Sequence, residues 1–383
     1  VPDVRSWKGG ALRGLGAVFY KEVLHIRRDS MTIIFALTIP VLQMIFLGFA
    51  IDTNVRQVNT VVFDEDGRQP SRDLIDRFRN SDTFRVAGYV HSDHEMNDAI
   101  VSGRAKVGIK IPVDYSRQLQ DRATAQVLVL VDGSDSSVAG TAINVSTSIG
   151  LDESLQRVIQ RYNVRQIFPV EVRPRLLFNP DSRSPNFFLP GLIAVLLLSL
   201  TTFLTAIGIV KEKEKGTLEQ LFVTPVRPLG LLLGKLLPFL GVGFLGLSIM
   251  LGFIRFVFQI PIHGHVALLL LLAVPYIFVN LSIGLIISGK ANSQAEAMQL
   301  AMLVFLPTIF FSGYIFPRET MPLPFYVMSF LVPGTYFVNI SRGIILRGAG
   351  IQHLWVDGLV LTVMGVALLL LAARRFQRRL VPA

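Results

Sequence analysis

Long uncharged runs broken by short charged ones set the pattern of this chain. Residues 31–51 carry no charge across 21 positions. At about 1.5 Å per helical residue, such a run crosses a hydrocarbon core of about 30 Å, and it predicts a first membrane span. A signal peptide would have a shorter apolar region followed by a small-residue cleavage site. Further spans are predicted over 187–210, 229–258, 266–289, 297–317 and 354–373, the last opening near Trp355, an aromatic suited to the interface.

Thr320–Ser341 is also uncharged for 22 residues, yet it holds Pro322, Pro324, Pro333 and Gly334. Proline interrupts the helical hydrogen-bond ladder, and freed backbone groups need partners inside a bilayer. The pattern predicts two half-helices over 318–345 that enter and leave on one side, rather than a seventh span.

Ahead of the first span, within 1–30, Leu12, Leu15, Phe19, Val23 and Ile26 recur at helical spacing over residues 11–28. Arg13, Lys21, Glu22 and Arg28 fall elsewhere on that wheel. A basic amphipathic helix beside a span is expected to lie along the membrane face; packing against a partner helix would use the same pattern.

Residues 52–186 change character. Short β-rich runs at 59–64, 83–90, 105–111 and 126–132 alternate with polar helical runs at 71–79, 93–102 and 114–120. A long helical stretch follows, from about Ser136 to Tyr162. Alternation of this kind predicts an α/β domain, large enough for its own core. The expected fold is therefore a polytopic α-helical membrane protein of six spans with an inserted α/β domain.

Composition agrees. Of 383 residues, 51% are hydrophobic and 17% charged, with mean hydropathy +0.52; soluble domains average about 25% charged. The net charge of +10 does not point to nucleic acid, because the basic residues flank apolar blocks. With six spans, Arg5, Lys8, Arg13, Lys21, Arg27, Arg28, Lys211, Lys213, Lys215, Arg227, Lys235, Lys290 and the tail Arg374, Arg375, Arg378 and Arg379 (374–383) share one side. Only Arg318, Arg342 and Arg347 flank the spans on the other. The positive-inside rule then makes both termini cytoplasmic and the α/β domain extracytoplasmic. The sequence opens on Val1 without Met, and further N-terminal residues are expected.

The sequence has no cysteine, so disulfides and thiolate chemistry are excluded. The pairs His91/His94 and His263/His265 lack ligands at metal spacing, and His91-Ser-Asp-His-Glu95 reads as a helix start. The nearest approach to a phosphate-binding loop, Gly230 to Leu236, has one residue too few between its glycines and no Ser/Thr after Lys235. Lys235, Arg255 and Asp357 lie near span ends, where snorkelling is expected.

Between the second and third spans, 211–228 begins KEKEKGTLEQLFVTPVR. Gly216 is suited to ending one helix, Thr217 and Gln220 to capping another, and Leu218, Leu221 and Phe222 to forming its apolar face. The segment reads as a short lever on the membrane face; a solvated charged loop has the same spacing.

KEKEKGTLEQLFVTPV resembles the coupling helix of ABC-2 type transport permeases, the membrane subunits of ABC exporters. NPDSRSPNFFLPGLIAVLL (179–197) and FLPTIFFSGYIFPRETMP (305–322) extend the resemblance over nearly the whole chain. The large domain is similar to that of drug-efflux permeases working with a periplasmic adaptor. The resemblance implies a bacterial inner-membrane permease that exports an amphipathic substrate. It implies a second permease subunit and a separate ATPase subunit that binds ATP and Mg, with no cofactor, catalytic residue or metal in this chain. Lys213, Glu214, Gly216, Thr217, Leu218, Glu219 and Gln220 would dock that ATPase, Glu219 through a charge-assisted contact. Phe310, Phe311, Tyr314, Phe316, Phe325 and Tyr326 would line an exit path, or serve as packing and interface aromatics. Two other readings stay open. A receptor with an outer ligand-binding domain would need an output module. An ion-coupled carrier would need intramembrane ion ligands.

Overall fold

A computed structural model describes residues 14–50, 55–121, 124–134, 136–162, 178–179, 183–217 and 228–380. The chain forms two compact units, Val1–Asp52 with Leu176–Ala383, and Thr53–Arg175.

In the second unit, β1 (Val58–Asp64), β2 (Phe84–Tyr89), β3 (Val107–Ile111) and β4 (Leu128–Val131) form one sheet in the order β2-β1-β3-β4. β1 pairs parallel with both neighbours, Thr60 opposite Val107 and Val58 opposite Phe84, while β4 runs antiparallel to β3. Parallel pairing requires crossovers, supplied by α3 (Gln69–Asn80) and α4 (Asp93–Val101). Leu74, Ile75 and Phe78 of α3 pack with Val62, Phe84 and Ile109. Met96 and Ala99 of α4 pack with Val61 and Ala105. The two helices thus draw on different strand residues, as the alternation of side chains along a strand requires. α5 (Tyr115–Gln120) and α6 (Ser136–Tyr162) complete the unit, and Arg77 of α3 ties α6 down through Asp152 and Gln156, each at 2.7 Å. The His91–Glu95 cluster caps a helix: Ser92 Oγ accepts from Glu95 N (3.1 Å), and Glu95 Oε2 accepts from His91 N (2.9 Å), one residue before the cap.

The first unit holds α1 (Leu15–Arg28), α2 (Ser30–Ala50), α7 (Ser184–Glu214), α8 (Pro228–Gly252, extended by a wide turn Phe253–Val257), α9 (Val266–Lys290), α10 (Gln294–Phe311), α11 (Leu323–Ser329), α12 (Pro333–Ile345) and α13 (Ile351–Leu380). Among the described residues, six helices are long and apolar enough to cross a membrane: α2, α7, α8, α9, α10 and α13. α11 and α12 bend by 79° at their break. Each has proline in its first turn, where a missing N–H costs no helical bond.

α7 is the central helix, packed on α2, α8, α9, α10 and α12. Its start is built by the 179–186 motif: Asn179 Oδ1 accepts from Arg183 N (3.1 Å) and Asn186 Nδ2 (2.9 Å), and Pro185 sits in the first turn. Lipid is as apolar as leucine, so close packing and interhelical hydrogen bonds hold these helices together. Tyr276 of α9 stacks on Phe337 of α12 at 4.3 Å and donates to Ala194 O of α7 at 2.7 Å.

Candidate functional site: the charged end of the second span

The last turn of α7 is Lys211-Glu212-Lys213-Glu214. Four successive helical residues point in four directions about 100° apart, and each of these reaches a different part of the unit. Lys211 Nζ donates to Asp29 Oδ2 (2.7 Å) at the junction of α1 and α2. Glu212 accepts from Lys21 of α1 and Lys235 of α8. Lys213 Nζ donates to Ala291 O (2.8 Å) and Asn292 Oδ1 (3.0 Å) at the end of α9. Glu214 accepts from Gln294 N (2.9 Å) and Nε2 (2.5 Å) at the start of α10. The signs suit the helix dipoles: a cation meets the C-terminus of α9 and an anion the N-terminus of α10.

Lys235 corrects the sequence reading. It does not snorkel; it is 2% exposed, caught between Glu212 and Glu22, whose Oε1 lies 2.8 Å from its Nζ. Lys21 bonds the same two carboxylates, at 3.0 Å to Glu22. Buried charges survive only when paired, and two ammoniums here alternate with two carboxylates. Burial alone would lower the Lys21 pKa, but Glu212 and Glu22 overcome that and raise it. Asp29 is held below the usual carboxylate range by Lys211 and by Thr32.

The packing face of α1 also differs from the expected one. Val18 and Glu22 are buried, while Phe19, Tyr20 and Val23 stay exposed. The reason is Gly234 of α8: a Cβ there would stand 2.8 Å from Val18 Cβ and 3.0 Å from Leu15 O, so the missing side chain lets the helices touch. Glu22 follows Val18 by one helical turn and is carried inward to Lys235.

Of the residues expected to dock an ATPase, Lys213 and Glu214 thus have partners inside the chain. Gly216, at φ 69, ends α7 in the left-handed region that suits glycine. The Thr217 hydroxyl donates back to Glu212 O at 3.1 Å. Leu218, Glu219 and Gln220 lie outside the described residues.

Beside this hub lies a cavity of about 540 Å3 between α1, α2, α7 and α10. Phe203, Leu204, Phe239, Met298 and Met302 line its apolar part, and Glu22, Asp29, Lys211 and Glu212 its charged part. Its charges are already paired with one another or with Lys21 and Lys235.

The six aromatics of the expected exit path divide. Tyr314 is buried and packs edge-on to Phe188. Phe311 and Phe325 stack at 5.5 Å. Tyr326 meets Phe330 edge-on, with the Arg318 guanidinium over both rings. Phe310 and Phe316 are exposed. Sequence reasoning missed Arg342 as the organiser of this region. Its two terminal nitrogens donate to Gly313 O and Tyr314 O, both at 2.9 Å, its Nε donates to Phe187 O, and its plane lies 3.9 Å over the Phe187 ring.

The chain has relatives by sequence. Residues 30–374 match the family described as ABC-2 family transporter protein. The chain is 27% identical to the "Probable multidrug ABC transporter permease YbhS" of Escherichia coli K12 over 380 residues, covering 98% of this chain and 99% of that protein. It is 27% identical to YbhR, described in the same words, over 348 residues, 89% and 92% of the two chains. It is 30% identical to "Inner membrane transport permease YhhJ" over 289 residues, 74% and 76%. The match over residues 30–374 makes the chain a member of the ABC-2 family of ABC transporter permeases, and its six candidate spans make it a multi-pass membrane protein.

Proposed function

We propose that the chain is the membrane subunit of an ATP-driven exporter whose ATP and Mg are bound by a separate subunit. The observation that carries this reading is the fan of contacts from Lys211–Glu214, immediately before the segment expected to dock the ATPase. A push on the last turn of α7 reaches α1, α8, α9 and α10 through direct side-chain contacts. ATP-driven closure of the partner would tilt the spans as packed bodies.

The cavity supports an amphipathic cargo: an apolar wall for one part, a rim of paired charges for the other. Drugs, other xenobiotics and lipid-like molecules fit that description, and the likeness to the probable multidrug permeases YbhR and YbhS favours the first. The path is enclosed by two permease subunits, this chain twice or with a similar one. Both termini are cytoplasmic, the α/β unit is extracytoplasmic in a bacterial inner membrane, and an adaptor meets it there.

The test replaces 217–220 by a Gly/Ser run in the chain reconstituted with its ATPase. Co-purification and export should both be lost. Export that survives the replacement unchanged overturns the reading, as does ATP hydrolysis by the purified chain alone.

A further inference from the structure

A second hollow, of about 550 Å3, opens where α1 faces the end of α7. Tyr20, Lys21, Arg28, Asp29, Lys211 and Lys215 line it. Three of its charges are committed: Lys21 to Glu22 and Glu212, and Lys211 to Asp29. Arg28 and Lys215 have no ion-pair partner among the described residues, and both are exposed. The hollow therefore carries two uncommitted cations, one a planar fork suited to phosphate oxygens and one a mobile point charge.

Its depth in the membrane follows from the chain. Asp29 directly precedes the uncharged run of α2, and Lys211 is the first charge after the uncharged 187–210. Both mark the border of the hydrocarbon, and the lipid phosphates lie in the headgroup layer just outside it. Beside them, Phe19, Tyr20 and Val23 of α1 expose apolar and aromatic surface, as a helix lying among headgroups and upper acyl chains does. An acidic protein segment would find the cations, but it would leave that apolar strip uncovered.

We propose that this hollow binds the phosphodiester headgroup of an anionic glycerophospholipid from the surrounding leaflet, with Arg28 and Lys215 as its ligands. The lipid would sit against the Lys211–Asp29 contact and brace α1 against α7. The proposal does not depend on the cargo or on the ATPase.

The test is native mass spectrometry of the full chain, released from mixed micelles holding equal phosphatidylglycerol and phosphatidylcholine. The wild-type chain should retain phosphatidylglycerol preferentially. The exposed double variant Arg28→Gln/Lys215→Gln should lose roughly 25-fold of that preference, since each of the two cations near an anionic surface contributes about a fivefold factor. A control, Lys290→Gln/Arg374→Gln, removes two exposed span-end cations elsewhere and should keep it. An unchanged preference in the first variant, or equal losses in both, overturns the proposal. Displacement of the lipid by millimolar inorganic phosphate would identify a free-anion site and overturn it too. So would a first variant that keeps its lipid but no longer co-purifies with the ATPase. All chains should elute as single species of unchanged helix content, so loss of fold is distinguished from loss of ligand.

Discussion

Lys235 on the third span and Glu22 on the helix before the first lie 213 positions apart, yet their side chains meet at 2.8 Å, both nearly sealed from solvent. Removing one partner of such a contact leaves charge where water cannot reach it. Lys235→Met should therefore destabilise the chain by about 3–5 kcal/mol, read as a lower midpoint of thermal unfolding. The neutral set Glu22→Gln/Glu212→Gln/Lys235→Gln should recover most of the loss. A single variant that unfolds like the wild type would show that the buried contact carries no weight.

Glu214 should behave differently. It is exposed and meets only Gln294, so Glu214→Ala should change stability by less than about 1 kcal/mol. The same change cuts the end of α7 from the start of α10. In the reconstituted complex, cargo moved per ATP should fall several-fold while ATP hydrolysis continues. Equal losses in both would assign Glu214 to docking instead.

Asp29 gives a pH signature. Its folded-state value is depressed by Lys211 and Thr32. It stabilises the fold above the unfolded carboxylate value of about 3.9, and that contribution is lost as pH falls through the lower folded value. Thermal unfolding followed by tryptophan fluorescence from about pH 6 to about pH 3 should show a decline that is shallower in Asp29→Asn. Identical slopes would mean that Lys211 does not hold the carboxylate.

Much of this was legible in the residues. The six long apolar runs correspond to the six long helices, and the alternation in 59–132 corresponds to the strands and helices of the sheet unit. The prolines at 322, 324 and 333 fall where the 79° break and the two short helices are found. Such features are local, since they depend on the length, period and stereochemistry of a few neighbouring residues. The hub was not legible because, apart from the neighbours Lys21 and Glu22, its pairs join residues from 23 to 213 positions apart. A helical wheel counts Glu22 as polar and turns it outward. Only the glycine at 234, which lets Val18 approach, reverses that choice. Arg342 was hidden for a related reason: backbone carbonyls have no signature in a sequence.

That last contact has an evolutionary corollary. Main-chain oxygens are present whatever residue occupies a position, and they do not titrate. Positions 187 and 314 would offer Arg342 the same backbone acceptors whatever side chains they carried, while position 313, at φ 79, is suited to glycine. Among the described residues no carboxylate lies within ion-pairing reach of it. Acidification would therefore leave this fastening intact after the Asp29–Lys211 contact at the opposite end of the second span had lost its carboxylate charge.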